Sequence, residues 1–163
     1  MTDARWLTPE ERKAWLALLS VMTVLPGALD AQLQRAARIT LFDYTVLAML
    51  SEAHGRALPM TELAARTSSS LSRLSHVVTK LGGRGWVERQ SSPGDGRVTT
   101  ASITQAGMDA IVSLAPDHVE NVRQLVFDTL EEGDVEDLRR IGERIVAGLD
   151  PKHWILRPAD QES

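Results

Sequence analysis

A short stretch of the sequence, SSSLSRLSHVVTKLGGR at residues 68–84, carries an unusual set of polar side chains. Its apolar residues recur at the spacing of a helix that packs against a core, and they are Leu71, Leu74, Val77, Val78 and Leu81. The opposite face then carries Ser72, Arg73, Ser75, His76, Thr79 and Lys80. Short hydroxyl groups let a helix backbone lie close to a partner, while arginine, histidine and lysine reach phosphates or the edges of bases. The pattern indicates a binding face, and the alternative is a face that contacts only water.

The ends of this helix can be predicted from local chemistry. Ser70 is a suitable N-cap, and the helix N-terminus beside it can bind a phosphate. The glycines at 82, 83 and 85 should end the helix, because glycine favours the conformations that follow a C-terminus.

The neighbouring elements would position this helix. A short helix at 60–66 and a turn at 67–69 precede it, and an extended piece, Leu58-Pro59, comes before them. After it, VERQSS and RVTTASI flank a turn at 93–96, which predicts a β-hairpin. Two short helices followed by a hairpin predict a winged helix-turn-helix, whose second helix enters the major groove of DNA.

The charge distribution favours the same interpretation, although the chain of 163 residues has a net charge of -4. Between Arg66 and Arg97 lie six basic and two acidic residues, so this segment carries +4 and the remainder carries -8. A basic segment on an acidic body is typical of a surface that binds nucleic acid.

Composition argues against an enzyme. The chain has no cysteine, which excludes disulfides and thiolate metal sites and fits a reducing compartment. Its four histidines, at 54, 76, 118 and 153, are scattered without metal-ligand spacing. Neither a glycine-rich phosphate loop nor a nucleophile elbow is present, so we expect no catalysis, no metal and no cofactor.

The N-terminal segment predicts a long helix at 9–37. Thr8, Pro9 and Glu11 form the pattern of a capping box, and Pro26 should kink the helix. Its uncharged run at 14–29 falls short of the ~20 residues that a membrane span requires, so no membrane is expected. Because the helix is apolar on nearly all sides, it should be buried against a partner subunit.

Further helices complete a mainly α (α+β) fold. One is predicted at 41–52 with Thr40 as N-cap, and another at 105 to about 130 with Thr104 as N-cap and an interruption or a kink at Pro116. The last, at about 132–149, carries on one side Val135, Leu138, Ile141, Ile145 and Leu149. The tail HWILRP at 153–158 is too short for a domain.

The ordered motifs resemble the MarR (multiple antibiotic resistance regulator) family of bacterial transcription factors. The run SRLSHVVTKLGGRGWVERQ and the strand DGRVTTASIT carry the resemblance, which extends over roughly 9–149. The family's wing pattern is met by Asp95, Arg97, Ile103 and Thr104, and its exit from the recognition helix appears as RGWV at 84–87. Gly82-Gly83 and the segment 131–133, which lacks a Ser-Pro start, depart from the family pattern.

This resemblance implies a homodimer that binds double-stranded DNA. The first and last helices would form the dimer, which divides the chain into 1–37, a DNA-binding lobe at 38–107, and 108–163. Arg97 would enter a minor groove and Asp95 would orient it. The expected major-groove and phosphate contacts are Ser70, Ser72, Arg73, Ser75, His76 and Lys80.

Family members commonly respond to small aromatic acids bound between the dimer helices and the DNA-binding lobe. The candidate ligand-binding residues are Arg12, Trp15, Leu19, Met22, Tyr44 and His118. Arg12 or His118 would pair with a carboxylate while the apolar residues form walls. The alternative is that these residues simply pack in a core.

Together these features predict a sequence-specific regulator, most often a repressor in such families, on a near-palindromic operator. We expect it in the bacterial cytoplasm, associated with the nucleoid when bound to DNA, and released by a small aromatic or phenolic effector. The alternative is a winged helix with an architectural or protein-interaction role and no ligand response.

Overall fold

The computed structural model describes residues 4–92 and 95–157, with side chains for all of these except residues 92 and 95–97. Six α-helices in this part of the chain are α1 (Pro9–Ala37), α2 (Leu41–Glu52), α3 (Met60–Arg66), α4 (Leu71–Gly83), α5 (Gln105–Leu125) and α6 (Asp134–Leu149). Three strands are β1 (Ala57–Pro59), β2 (Val87–Ser92) and β3 (Asp95–Ile103). The mainly α fold with a small antiparallel sheet confirms the predicted fold class.

Local capping fixes where the first two helices begin. The Thr8 hydroxyl accepts a hydrogen bond from the Glu11 amide at 3.1 Å, and the Glu11 carboxylate accepts one from the Thr8 amide at 2.8 Å. Thr40 and Asp43 form the same reciprocal box at the start of α2. Each box satisfies donors that a helix N-terminus otherwise leaves without partners. Helix α1 continues through Pro26 and ends at Arg38, which adopts a left-handed conformation.

The sheet confirms the predicted hairpin and adds a third strand. Strands β2 and β3 pair in antiparallel register from Val87 opposite Ile103, and β1 pairs with the other edge of β3. The extended piece at Leu58 thus becomes an edge strand. Helices α2, α3 and α4 pack with this sheet around a core that includes Leu47, Leu63, Leu74, Leu81 and Ala101.

Three predictions about element boundaries and burial were wrong in detail. Leu71 is exposed, because the first turn of α4 extends beyond the core that buries Leu74 and the later apolar residues. Helix α5 ends at Leu125, where Val126 leaves helical geometry, although it passes through Pro116 without interruption. Helix α6 begins at Asp134, because Gly133 before it has a φ of 93°.

A close approach between α5 and the loop before β2 requires the glycine at 107. A Cβ atom on Gly107 would lie 2.2 Å from the Trp86 carbonyl oxygen and 2.7 Å from Cγ1 of Ile103. Both distances are shorter than real Cβ atoms tolerate, and one neighbour is backbone. Thr104, the α5 N-cap, also donates a hydrogen bond to the Gly85 carbonyl at 2.6 Å, so the loop cannot easily withdraw.

We therefore expect Gly107→Ala to lower the free energy of unfolding by about 1–3 kcal/mol, the usual cost of overpacking. Urea denaturation followed by circular dichroism measures this. Gly83→Ala is the matched control, since a Cβ there meets nothing within 4 Å. Equal stability of the two variants would contradict the close packing of α5 on this loop.

The outer helices leave apolar faces uncovered within the single chain. None of the residues of α6 is buried, and its predicted stripe is exposed along its length. On α1 the exposed large apolar residues are Trp15, Leu16, Leu18, Leu19, Val21, Met22 and Val24. Contrary to the expectation from the run at 14–29, α1 is also long and apolar enough to cross a membrane by length and composition alone. Exposed apolar faces of this kind are typical of surfaces that another protein or a membrane covers.

Candidate nucleic-acid interface

Helix α4 presents the polar face that the sequence predicts. The Ser70 hydroxyl caps it by accepting a hydrogen bond from the Arg73 amide at 3.2 Å. Ser72, Arg73, His76, Thr79 and Lys80 are exposed, and Ser75 is half-buried. The buried side of the helix holds it against the core, so this face is displayed on a supported element rather than on a loop.

Arg73 is positioned by an aromatic ring from α2. Its guanidinium carbon lies 4.1 Å from the centroid of the half-buried Phe42 ring. A guanidinium over an aromatic face is attracted by the ring quadrupole, and its hydrogen-bond donors remain directed along the guanidinium plane. Phe42 therefore restricts where Arg73 can reach. Phe42 could not be predicted as part of the site, because nothing local in the sequence connects it with α4.

Ser75 is held from the other side by the hairpin. Arg89 on β2 donates a hydrogen bond to the Ser75 hydroxyl at 2.9 Å. Arg89 belongs to the basic segment of the sequence, where its role could not be predicted. The bond connects the wing to the recognition helix and brings a further cation to the polar face.

Lys80 has an intramolecular partner that the sequence analysis did not find. Its ammonium forms an ion pair with Oδ2 of Asp43, whose side chain is 1% exposed. The same oxygen accepts the Thr40 amide in the capping box of α2, while Oδ1 is buried without a hydrogen-bond partner. Lys80 thus neutralises a buried carboxylate and ties α4 to α2. Its predicted contact with DNA stays a prediction, and this pair competes with it.

Other basic residues near α4 support the fold. Arg84 lies over the Trp86 ring at 4.6 Å and donates a hydrogen bond to the Ala37 carbonyl at 2.9 Å. These contacts connect the end of α4 with the end of α1. The wing strands are present, but the side chains of Asp95 and Arg97 lie outside the described residues, so their predicted roles stay untested.

The predicted ligand-binding residues do not come together as one group. Tyr44 and His118 contact each other, with ring centroids 4.2 Å apart, and His118 Nδ1 lies 3.4 Å from the Gln32 side-chain oxygen. Arg12, Trp15, Leu19 and Met22 instead lie exposed along the N-terminal half of α1. A common role of these residues in binding a ligand stays a prediction, because the single chain does not bring them together in one site.

A different cavity lies between α1, α2 and α4. It has a volume of about 950 Å³, and Asp30, Phe42, Asp43, Arg73, His76 and Lys80 are among its lining residues. None of the six predicted ligand-binding residues lines it. This cavity could not be predicted from the sequence, because it forms where the middle of α1, the N-terminus of α2 and the recognition helix converge.

Burial lowers the pKa of His118 below its ordinary value. The folded chain therefore takes up a proton at this histidine less readily than the unfolded chain does. Neutral His118 contributes its full stability at a pH above the pKa of histidine in the unfolded chain, about 6.5. This stability is lost as the pH falls from that value through the lower pKa of the folded chain.

We expect His118→Gln to reduce the fall in thermal midpoint between pH 7 and pH 5, as measured by circular dichroism. An unchanged fall would contradict this role.

No cluster of three or more histidine, aspartate or glutamate side chains suited to a metal ion occurs within residues 4–92 and 95–157. The chemistry that this surface offers is hydrogen bonding and charge, directed outward from α4.

Comparison with known proteins agrees with this geometry. Residues 38–98 match the model of the MarR family. The crystal structure of Sco3205, a MarR family transcriptional regulator from Streptomyces coelicolor in complex with DNA, is 39% identical with a TM-score of 0.88, over 93% of this chain and 95% of that one. AbsC, a MarR family transcriptional regulator from the same organism, is 34% identical with a TM-score of 0.85, over 91% of this chain and all of that one.

Among curated proteins, the HTH-type transcriptional regulator MhqR of Bacillus subtilis (strain 168) is 28% identical over 112 residues, which cover 69% of this chain and 74% of MhqR. The match at 39% identity spans nearly the whole of both chains and includes the helices outside the DNA-binding lobe. The chain therefore belongs to the MarR family of transcriptional regulators.

Proposed function

We propose that the chain represses transcription as a homodimer that binds a near-palindromic double-stranded DNA operator in the bacterial cytoplasm. The observation that carries this proposal is the outward polar face of α4, on which Arg73 and Ser75 are positioned by residues from α2 and β2. Pre-positioned side chains lose less conformational entropy when they bind, which favours sequence-specific contacts. A repressor of this kind acts by occupying the duplex that the transcription machinery needs.

The apolar faces of α1 and α6 support the homodimer. Large apolar side chains exposed along two whole helices are costly in water and are typical of a subunit interface. The division at 1–37, 38–107 and 108–163 follows from this assignment, with the outer segments forming the dimer. A membrane is the other environment that could cover α1. The DNA-bound relative matches 93% of this chain, so the match must include most of α1. This similarity favours a protein partner for α1 over a membrane.

A twofold dimer would place two α4 helices on successive major grooves. The half-sites of the operator should then lie about one helical turn, ~34 to 36 Å, apart. The residues that would contact base edges are Ser72, Arg73, Ser75 and His76. The α4 N-terminus at Ser70 would contact a phosphate, and Arg97 on the wing would enter the minor groove.

A titration at two salt concentrations tests this function. The purified protein is added to the duplex just upstream of its own gene and to a random duplex of equal length. Preferential, salt-sensitive binding to the upstream duplex is the expected result, because contacts with phosphates release counterions. Equal weak binding to both duplexes would favour an architectural role, and no binding would favour a protein-interaction role.

Replacing Arg73 should relax discrimination at one base position in each half-site. A bidentate arginine contact with guanine contributes about 1–3 kcal/mol of discrimination against the wrong base. We expect Arg73→Ala to bind the operator and its single-base variants at that position with similar affinity, measured by competition titration. Arg123→Ala on α5 is the control, since that exposed arginine lies outside the polar face. A uniform loss on operator and random DNA would contradict base reading by Arg73.

We propose that a small aromatic acid releases the dimer from DNA. The cavity between α1, α2 and α4 supports this step, because its lining includes Arg73 and His76 from the recognition helix itself. An effector shifts the equilibrium only by its difference in affinity for the free and DNA-bound arrangements. An anion paired with Arg73 in this cavity would compete with the contact that Arg73 makes to DNA. Effector screening by displacement of labelled operator checks this response.

A further inference from the structure

Leu71 is the first residue of α4 and stands apart from the other apolar residues of that helix. Its side chain is 52% exposed, whereas Leu74, Val77, Val78 and Leu81 are buried. A single exposed leucine needs no explanation on an ordinary surface. Leu71, however, lies between Ser70 and Ser72 at the N-terminal end of the recognition helix, where side chains of this motif contact the edges of bases.

A second exposed apolar residue, on the wing, lines the same groove as Leu71. Val98 on β3 is 41% exposed, and both side chains line a groove of about 410 Å³ between α4 and the hairpin. The polar residues that line the same groove are Thr61, Ser72, Ser75, Arg89 and Thr99. The groove therefore combines an apolar edge with hydroxyl and guanidinium donors, and it lies between the two elements through which this fold contacts DNA.

The chemistry of the major groove limits what an apolar edge can meet there. The base edges in this groove present donors and acceptors, and the one apolar group among them is the 5-methyl group of thymine. A leucine placed against a donor or acceptor would prevent its hydration without replacing the lost hydrogen bond. A leucine placed against a thymine methyl buries apolar surface on both sides.

We propose that Leu71, with Val98 beside it, reads a thymine in each half-site of the operator by contact with the 5-methyl group. This inference rests on the proposed binding of duplex DNA and identifies a specificity-determining residue that lies outside the polar face. Ser72 and Arg89 would contact the neighbouring base edge or phosphate, which fixes the register of the leucine on the thymine. The polar residues alone would not distinguish thymine from uracil.

Uracil scanning tests the proposal on the intact dimer. A tightly bound duplex is first selected from a random pool, and each thymine is then replaced in turn by deoxyuridine, symmetrically in both half-sites. This change removes the 5-methyl group and keeps the base pair and the O4 acceptor. We expect the affinity of the wild-type protein to fall about fifteenfold at one symmetric pair of positions, about fourfold for each methyl group removed, and to stay constant elsewhere.

Variants of Leu71 assign the effect to this side chain. Leu71→Ala should bind the thymine and uracil duplexes equally at that position, whereas Leu71→Met should keep the preference because it retains an apolar side chain. Since Leu71 is outside the core, circular dichroism should show both variants folded.

The outcomes separate this inference from the proposed function. Salt-sensitive binding with no uracil-sensitive position would overturn the role of Leu71 and leave the regulator standing. A uracil effect that persists in Leu71→Ala would assign the methyl contact to another residue and also overturn the inference. Failure to bind any selected duplex would instead overturn the proposed function.

Discussion

Replacing Ile141 with glutamate should convert the homodimer into a monomer and lower its affinity for the operator about 100-fold or more, because one half-site then binds without the other. Ile141 is 48% exposed in the middle of the α6 stripe, between Leu138 and Ile145. A carboxylate introduced there would be desolvated twice across a twofold interface, once from each subunit. Within a single chain the new side chain meets water, so the fold itself should be retained.

Analytical ultracentrifugation measures the change in mass, and a titration with labelled operator measures the change in affinity. Arg140→Glu is the matched control, because it places the same side chain on α6 outside the apolar stripe. It should remain dimeric and keep its affinity within a fewfold range. If Ile141→Glu stays dimeric, α6 does not form the interface. If the variant is monomeric but binds the operator with full affinity, the dimer is not the unit that binds DNA.

The second large effect is expected from Lys80→Met, which should lower the free energy of unfolding by about 3 kcal/mol, the lower end of the range for breaking a buried ion pair. The variant leaves the carboxylate of Asp43 buried with only the Thr40 amide as a partner for Oδ2. The value lies at the lower end because the Lys80 side chain is 40% exposed, so water already screens part of the interaction.

Urea denaturation of the single variants and of the double variant Lys80→Met with Asp43→Asn measures this coupling. Removing both charges should recover a large part of the lost stability, since an uncharged amide costs less to bury than a carboxylate. Thr79→Met is the control at the adjacent exposed position. If Lys80→Met reduced only the salt dependence of DNA binding and left stability unchanged, Lys80 would be a phosphate contact, as the sequence alone suggested.

The sequence by itself determined the elements whose causes are local. The capping box at Thr8 and Glu11, the Ser70 cap of α4 and the hairpin at β2 and β3 each depend on residues a few positions apart, and each is present. The polar face of α4 could be predicted for the same reason, because helical periodicity decides which side chains share a side. The order of these elements then sufficed to indicate a winged helix-turn-helix.

Tertiary structure decided which of those side chains are held and which are displayed. The contact of Lys80 with Asp43 joins residues 37 positions apart, and that of Arg89 with Ser75 joins residues on different element types. Periodicity assigned Leu71 to the core, yet Leu71 lies beyond the point where the core ends. Of the six residues predicted to bind a ligand, Tyr44 and His118 contact each other, whereas the other four lie exposed on α1. A pattern in the sequence gives the direction of a side chain from its own helix axis. The position of a neighbouring element depends instead on how all the helices pack. That packing alone determines the distances between groups far apart in the chain.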